Sequence, residues 1–263
     1  MNSSLPRAKK HLGQHFLVDN HYIDRIVAAI RPQAEDHMVE IGPGPGALTQ
    51  PLLSTLLHLH VVEFDRDMVA RLASQFSTDL LTIHQDDALR FDFAALAAMQ
   101  PLRVVGNLPY NISSPLLFHL AESAEHISDM TFMLQKEVVD RMAAKPDTAD
   151  YGRLSVMLQA RFSVTKLFTV PPGAFQPPPK VDSAIVRLVP LPAEAILYQD
   201  HHVFSDIVGR AFGQRRKTLR NTLKGVVDDA LFNQVGIDPV RRGETLSVAE
   251  FSLIANALSA NPN

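Results

Sequence analysis

The sequence predicts an α/β fold: a mostly parallel sheet covered by helices on both faces, followed by a small all-α region. Three observations predict it. Short apolar runs alternate with helix-period segments as far as residue 144. A glycine-rich turn stands between the first long apolar run and the next helical segment. From residue 196 onward only helical patterns remain.

In chain order, "HMVEIG" (37–42), "LHLHVVEF" (57–64), "LLTIHQ" (80–85), "LRVVGN" (102–107) and "DMTFML" (129–134) read as strands rich in β-branched or apolar residues. Helical segments are expected at 19–31, 47–57, 66–76, 91–99, 114–124 and 136–144. Strands separated by helices form βαβ units, so this sheet is parallel. A further helical segment spans 152–162, and "SVTKLFTV" (163–170) follows as a strand. The proline-rich loop "PPGAFQPPPK" (171–180) leads to another strand, "VDSAIVRLV" (181–189), expected to pair antiparallel with the first at a sheet edge. "PLPAEA" (190–195) reads as a linker, which divides the chain into domains 1–192 and 193–263. In the helical part, Gly225, Gly236, Pro239 and Gly243 are breakers.

A chain of 263 residues with 46% hydrophobic and 20% charged residues has the balance of a water-soluble globular protein. The absence of cysteine excludes disulfides and cysteine-ligated metal, and fits a cytoplasmic location. No signal-peptide core stands at the N-terminus, and no run approaches the roughly 20 apolar residues that span a membrane. The formal net charge of −3 argues against a nucleic-acid partner, but its distribution argues for one. Arg7, Lys9 and Lys10 precede the first acid, and Arg210, Arg215, Arg216, Lys217, Arg220 and Lys224 share a stretch without acids. Such clusters are the footprint of phosphate contacts, or else solvated basic faces. A helix over 208–226 places Arg216, Arg220 and Lys224, spaced by four, on one face.

Four motifs carry chemistry. "VEIGPGPGALT" (39–49) places Gly42, Gly44 and Gly46 after a strand and before a helix, where φ > 0 and close ligand approach are needed. Glu63, at the end of the next strand, suits the hydroxyls of a ribose. A structural turn, a dinucleotide site and an S-adenosylmethionine site all fit this pair. Pro43 and Pro45 lack N–H donors for a pyrophosphate, which tilts the reading toward the ligand without phosphate. In "IHQDDAL" (83–89), Asp86 and Asp87 end the third strand, as acceptors for an adenine amino group or as a helix cap.

"GNLPYN" (106–111) ends the fourth strand with an amide, a proline and a ring. Asn107 and the Leu108 carbonyl are two acceptors, Pro109 keeps that carbonyl free, and Tyr110 supplies a flat face. The set suits the exocyclic amine of an extruded base; the alternative is an ordinary loop start. Phe175, in the stiff proline loop, is expected to stack on the base's other face or else to cap the core.

Together these segments resemble the ribosomal RNA adenine dimethyltransferases, in particular the bacterial small-subunit branch. The resemblance runs through "HLGQHFL", "VEIGPGPGALT", "VEFDRD", "GNLPYNISSPLLFHL", "PPGAFQPPPKVDSAIVRL" and "AFGQRRKTLRNTL" and covers nearly the whole chain. It implies a Rossmann-like class I S-adenosylmethionine-dependent methyltransferase domain with a small helical C-terminal domain that binds RNA. It implies dimethylation of two neighbouring adenines in the hairpin loop near the 3′ end of 16S rRNA, within the assembling 30S subunit, by a monomer. By position it assigns cofactor contacts to His15, Leu17, Gly42, Gly44, Glu63, Asp87 and Asn107. The substrate site falls on Asn107, Leu108, Pro109, Tyr110 and Phe175, and RNA contacts on Arg215, Arg216, Lys217, Arg220 and Lys224. No metal is implied. His15 stands where the family often has asparagine, and Pro45 where it usually has leucine. Related enzymes acting on large-subunit RNA, a binding checkpoint in ribosome assembly and a nicotinamide oxidoreductase are the competing readings; the last leaves the NLPY stretch unexplained.

Overall fold

The computed structural model of the protein describes residues 6, 8, 9, 13–98, 100–214 and 216–260. Two compact units form, one from residues 1–139 with 165–190, the other from 140–164 with 191–263.

The first unit is built on a seven-stranded sheet. Its parallel part comprises β2 (Met38–Ile41), β3 (Leu59–Glu63), β4 (Leu81–Gln85), β5 (Leu102–Asn107) and β6 (Ile127–Gln135). Strands β7 (Phe162–Val170) and β9 (Ser183–Pro190) complete it in the order β4-β3-β2-β5-β6-β9-β7. Strand β9 runs antiparallel to β6, with Ser183 opposite Gln135, and β7 is the outer neighbour of β9. The strand order reverses direction at β2, which lies between β3 and β5. Ligands of open α/β sheets bind at such a switch point, beyond the carboxyl ends of the strands.

Between the strands stand α1 (Asn20–Ile30), α2 (Thr49–Leu53), α3 (Arg66–Gln75), α4 (Phe93–Leu96) and α5 (Ser113–Glu122), with α6 (Lys136–Met142) after β6. Asp19 and Asp65 cap α1 and α3 by accepting backbone N–H groups two residues on, which starts each helix where its apolar period begins. Helices α2 and α4 are shorter than the expected 47–57 and 91–99. Pro51 lies in the first, and the second unwinds at Ala97 after its cap on Asp92. The core beneath the switch point joins Ile26, Ile30, Leu48, Leu52, Val61, Val105 and Ile185.

The sequence pattern did not indicate one small sheet. Strand β1 (Phe16–Leu17) pairs antiparallel with β8 (Phe175–Gln176), with Leu17 opposite Phe175, and so ties the N-terminal segment to the proline-rich loop. Two-residue strands carry no periodicity, so only tertiary pairing reveals them.

The second unit is helical: α7 (Arg153–Gln159), α8 (His201–Gly213), α9 (Leu219–Thr222), α10 (Asp229–Val235) and α11 (Val248–Ala260). Tyr151 is buried and its hydroxyl donates to the Leu246 carbonyl at 2.8 Å, stitching the two stretches of this unit together. Ser247 and Glu250 exchange hydrogen bonds as a capping box at the start of α11, and Arg241 holds the Glu250 carboxylate.

The single helix expected over 208–226 is not formed. Helix α8 ends at Gly213, Thr218 is extended, and α9 is one turn long. The expected apolar positions Val208, Leu219 and Leu223 are buried, but Leu219 donates its N–H to Arg241, outside any helix. The chain leaves the helical course at Gln214 and Thr218, so Arg216, Arg220 and Lys224 do not share a face of one helix.

Candidate active site

The loops following β2, β3, β4 and β5, with residues 13–17, line a cavity of about 260 Å³ at the switch point. It receives every expected cofactor residue: His15, Leu17, Gly42, Gly44, Glu63, Asp87 and Asn107. It also receives Leu108, Pro109 and Tyr110.

The loop after β2 takes its shape from glycine. Gly42, Gly44 and Gly46 all have φ > 0, and at Gly44 (φ +53°) the N–H donates to Glu63 Oε2 at 3.1 Å. Glu63 Oε1 accepts from Asp65 N–H at 2.8 Å. The carboxylate is 7% exposed. Burial pushes its proton affinity above the usual carboxylate range, against the backbone N–H groups that stabilise the anion. Each oxygen spends one lone pair on the backbone and keeps another for a ligand.

Asp87 fills the capping role and also stands at the cavity. Its Oδ1 accepts from Leu89 N–H at 3.0 Å, capping the turn, while the residue also lines the cavity.

The NLPY turn begins with a glycine that no other residue can replace. A Cβ on Gly106 would stand 2.4 Å from the carbonyl oxygen of Ile41, its partner in the parallel β2–β5 pair. Next, Asn107 Nδ2 donates to the His15 carbonyl at 3.1 Å. A carbonyl only accepts, so this bond orients the amide and leaves Oδ1 as the free acceptor. Leu108 N–H is held by Met133 O at 3.1 Å. Tyr110 is half-buried, its hydroxyl 2.8 Å from Ser183 Oγ, its ring 5.7 Å from the His15 imidazole and inclined by 24°. Burial raises the pKa of its phenol above the ordinary value. His15 Nδ1 in turn donates to the Pro177 carbonyl at 2.8 Å.

Phe175 requires a correction. It is 4% exposed and packs with Leu17, Val170, Ala174 and Ile185 in the core. Its position opposite Leu17 in the β1–β8 pair turns the ring inward, and it does not line the cavity. The expected two-sided sandwich of Tyr110 and Phe175 is therefore not assembled here; the ring beside Tyr110 is that of His15.

Two further lining residues, not assigned as ligand contacts from the sequence, bear on the chemistry. Glu40, in β2, is buried and accepts a 2.6 Å bond from Thr49; burial lifts its pKa to about 7. A charged residue inside a strand buried on both faces was the available signal. Phe64 is 63% exposed at the rim, directly after Glu63, and a large exposed ring is conspicuous only once the cavity is seen.

The lining of the cavity holds four carboxylates, Glu40, Glu63, Asp86 and Asp87, and no lysine or arginine among the described residues. A pyrophosphate would meet like charge there. A ligand with ribose hydroxyls, an amino-bearing ring and cationic groups but no phosphate fits this lining, as S-adenosylmethionine does; a dinucleotide would bring its pyrophosphate against the carboxylates.

The basic segments lie elsewhere. Lys9 is paired with Asp65 and Asp67 at 2.6 and 2.7 Å, with Gln14 also donating to Asp65, so it anchors the N-terminal segment beside α3. Arg7 and Lys10 are outside the described residues, as is Arg215. Arg216, Lys217, Arg220 and Lys224 are exposed on the second unit, and Arg220 pairs with Asp229 at 3.1 Å.

Comparison with known proteins places these features. The family model described as "Ribosomal RNA adenine dimethylase" matches residues 6–260. The chain is 61% identical over 254 residues to ribosomal RNA small subunit methyltransferase A of Aromatoleum aromaticum, covering 97% of this chain and 95% of the relative. It is 59% identical to the protein of that name from Laribacter hongkongensis, covering 94% of this chain and 95% of the relative. Among solved structures, a dimethyladenosine transferase from Plasmodium falciparum is similar at a TM-score of 0.78 and 25% identity, over 91% of this chain and 96% of that one. The 23S rRNA methyltransferase ErmE shares the fold at a TM-score of 0.68 and 24% identity, over 93% of this chain and 99% of that one.

Proposed function

The chain belongs to the ribosomal RNA adenine dimethylase family, and from that premise we infer how its cavity carries out the reaction. The protein is an S-adenosylmethionine-dependent enzyme that dimethylates the amino groups of two adjacent adenines in the 3′-terminal hairpin loop of 16S rRNA. Its working context is the assembling 30S subunit in the cytoplasm, late in biogenesis, and it acts as a monomer. The unit of residues 1–139 and 165–190 holds the chemistry, and the helical unit of 140–164 and 191–263, not 193–263 alone, contacts RNA.

S-adenosylmethionine supplies an activated sulfonium methyl group. Glu63 takes the ribose hydroxyls with its remaining lone pairs, Asp87 takes the adenine amine, and the exposed ring of Phe64 covers the adenine face. Glu40 braces the start of α2 through Thr49 beneath this wall. His15, Leu17, Gly42 and Gly44 close the wall. Asn107 completes it and also faces the substrate.

The target amine is a poor nucleophile because its lone pair is delocalised into the purine ring. Asn107 Oδ1 and the Leu108 carbonyl accept its two hydrogens, which favours a pyramidal nitrogen aimed at the methyl group. Tyr110 stacks on the base. After each transfer the cationic amine gives its proton to water, so no general base is required. In the second round one hydrogen remains to orient the amine, and alignment then depends more heavily on the ring. Arg215, Arg216, Lys217, Arg220 and Lys224 hold flanking phosphates.

The observation that carries this reading is the gathering of Asn107, Leu108, Pro109 and Tyr110 with Glu63 and Asp87 around one cavity rich in carboxylates. Its test is incubation with labelled S-adenosylmethionine and unmethylated small subunits, followed by mapping of the label. Two doubly labelled adjacent adenines are expected; small subunits left unlabelled, or label at a position other than two adjacent adenines, would overturn it.

A further inference from the structure

We propose that Ser183 is a positioning residue for methyl transfer, holding the Tyr110 ring in the plane on which the target adenine stacks. The inference rests on the reading of Tyr110 as the base platform. Ser183 is fully buried at the start of β9, followed by the buried Ala184, Ile185 and Val186. A hydroxyl in such surroundings is costly unless it is hydrogen-bonded. Its partner is the hydroxyl of Tyr110, 2.8 Å away, a side chain that lines the cavity.

The backbone around Ser183 is fixed in register with the NLPY turn. Ser183 lies opposite Gln135 on β6, while Met133, two residues earlier, lies opposite Asn107 on β5. Lys136 N–H also donates to Asp182 O at 2.9 Å. Tyr110 itself lies beyond the end of β5, in a turn closed by the Ile112 N–H to Pro109 O bond at 3.2 Å. The ladder therefore gives Ser183 a rigid seat, whereas the tyrosine ring keeps its own side-chain torsions. The bond at the hydroxyl and the His15 imidazole 5.7 Å from the ring together define the ring's plane. Without the bond the ring turns more freely, and fewer bound complexes present the amine in line with the methyl group. The second transfer, with one hydrogen left on the amine, suffers more than the first.

The experiment is single-turnover methylation of unmethylated small subunits at saturating cofactor. The variants are Ser183→Ala, Tyr110→Phe, their double combination and Tyr110→Ala. A neutral hydrogen bond contributes about 0.5–1.5 kcal/mol, so each of the first two should slow transfer about 2- to 12-fold. Monomethylated adenine should accumulate, calorimetric affinity for S-adenosylmethionine should be unchanged, and the double variant should be no slower than either single one. Wild-type rates and product ratios in Ser183→Ala, or additive losses in the double variant, would overturn the proposal while leaving the platform reading intact. A wild-type rate in Tyr110→Ala would overturn the platform reading and the proposal with it.

Discussion

Glu63 shows how a single side chain serves two structures at once. Its oxygens hold the N–H groups of Gly44 and Asp65, at 3.1 and 2.8 Å, and so brace the loop that they also equip for ligand binding. Glu63→Ala would therefore disturb the loop as well as the ligand contact; Glu63→Gln keeps the side chain's shape and loses one of the two backbone bonds. Gln keeps one acceptor and loses the charge. A hydrogen bond to a charged group contributes about 1.5–3 kcal/mol, so affinity for S-adenosylmethionine should fall about 10- to 150-fold by calorimetry. Phe175 makes the opposite point. Because its ring is core and not clamp, Phe175→Ala should cost about 3–5 kcal/mol of unfolding free energy in denaturant titrations. Methyl transfer by the molecules that remain folded should change far less than in Tyr110→Ala.

At the scale of elements, the β3–β4 edge carries a layer of imidazoles. His60 and His84 stack at 5.4 Å, His60 Nδ1 lies 3.1 Å from His84 Nε2, and the His58 and His37 rings lie 5.0 and 5.3 Å from His60. Burial first, and the neighbouring imidazoles second, depress the His60 pKa to about 4. The folded state keeps this ring neutral while the unfolded chain protonates it near pH 6.5, so stability is full above that pH and declines toward pH 4. Glu40 works the other way: its folded pKa of about 7 adds stability at low pH that is lost as pH rises from 4.5 to 7. The two trends overlap, so the difference between wild type and His60→Gln is the informative quantity. After discounting for solvent screening, the variant should lose on the order of 1–2 kcal/mol less between pH 6.5 and 4.5 by denaturant titration. The same two strands lead to Glu63 and to the Asp86–Asp87 pair, which line the cavity.

The basic segment is also an element-scale device, although it is a bent chain and not a helix face. Arg216→Glu with Arg220→Glu should leave cofactor affinity unchanged and flatten the log–log salt dependence of subunit binding by about 1–2. Arg220 already pairs with Asp229, so Arg216→Glu alone should account for the larger part of the change. An unaltered slope would make this segment an ordinary solvated surface.

At the scale of the whole molecule, the second unit takes residues 140–164 from the middle of the chain and 191–263 from its end. Tyr151 and Leu246, 95 residues apart in sequence, are joined by one hydrogen bond inside it. A fragment ending at residue 192 would keep Tyr151, Val156 and Leu158, all buried in the intact chain, without the residues that complete that unit. It should bind a hydrophobic dye and melt at a lower temperature than the full chain. A fragment as stable as the intact protein would show that the central stretch needs no help from the C-terminal helices.

Much of this protein was legible in its residues. The alternation of apolar runs with helical periods is local information, and it placed the five parallel strands and the order of the helices between them. The glycine loop, Glu63, Asp87 and the NLPY turn were legible for a related reason. Each is tied to the carboxyl end of a strand, and a parallel sheet brings those ends together. What the sequence could not decide was anything that depends on a distant partner. The β1–β8 pair is too short for periodicity, yet it turns Phe175 into the core. The segment with helical spacing breaks at Gln214 and Thr218, and its continuation, Leu219, bonds to the distant Arg241. Glu40 and Phe64 became site residues only when the cavity was visible, and Ser183 only when its hydroxyl met Tyr110. Local pattern reports what a segment prefers, whereas burial and hydrogen-bond partners are settled by chain segments far apart in sequence, and only the folded structure brings those together.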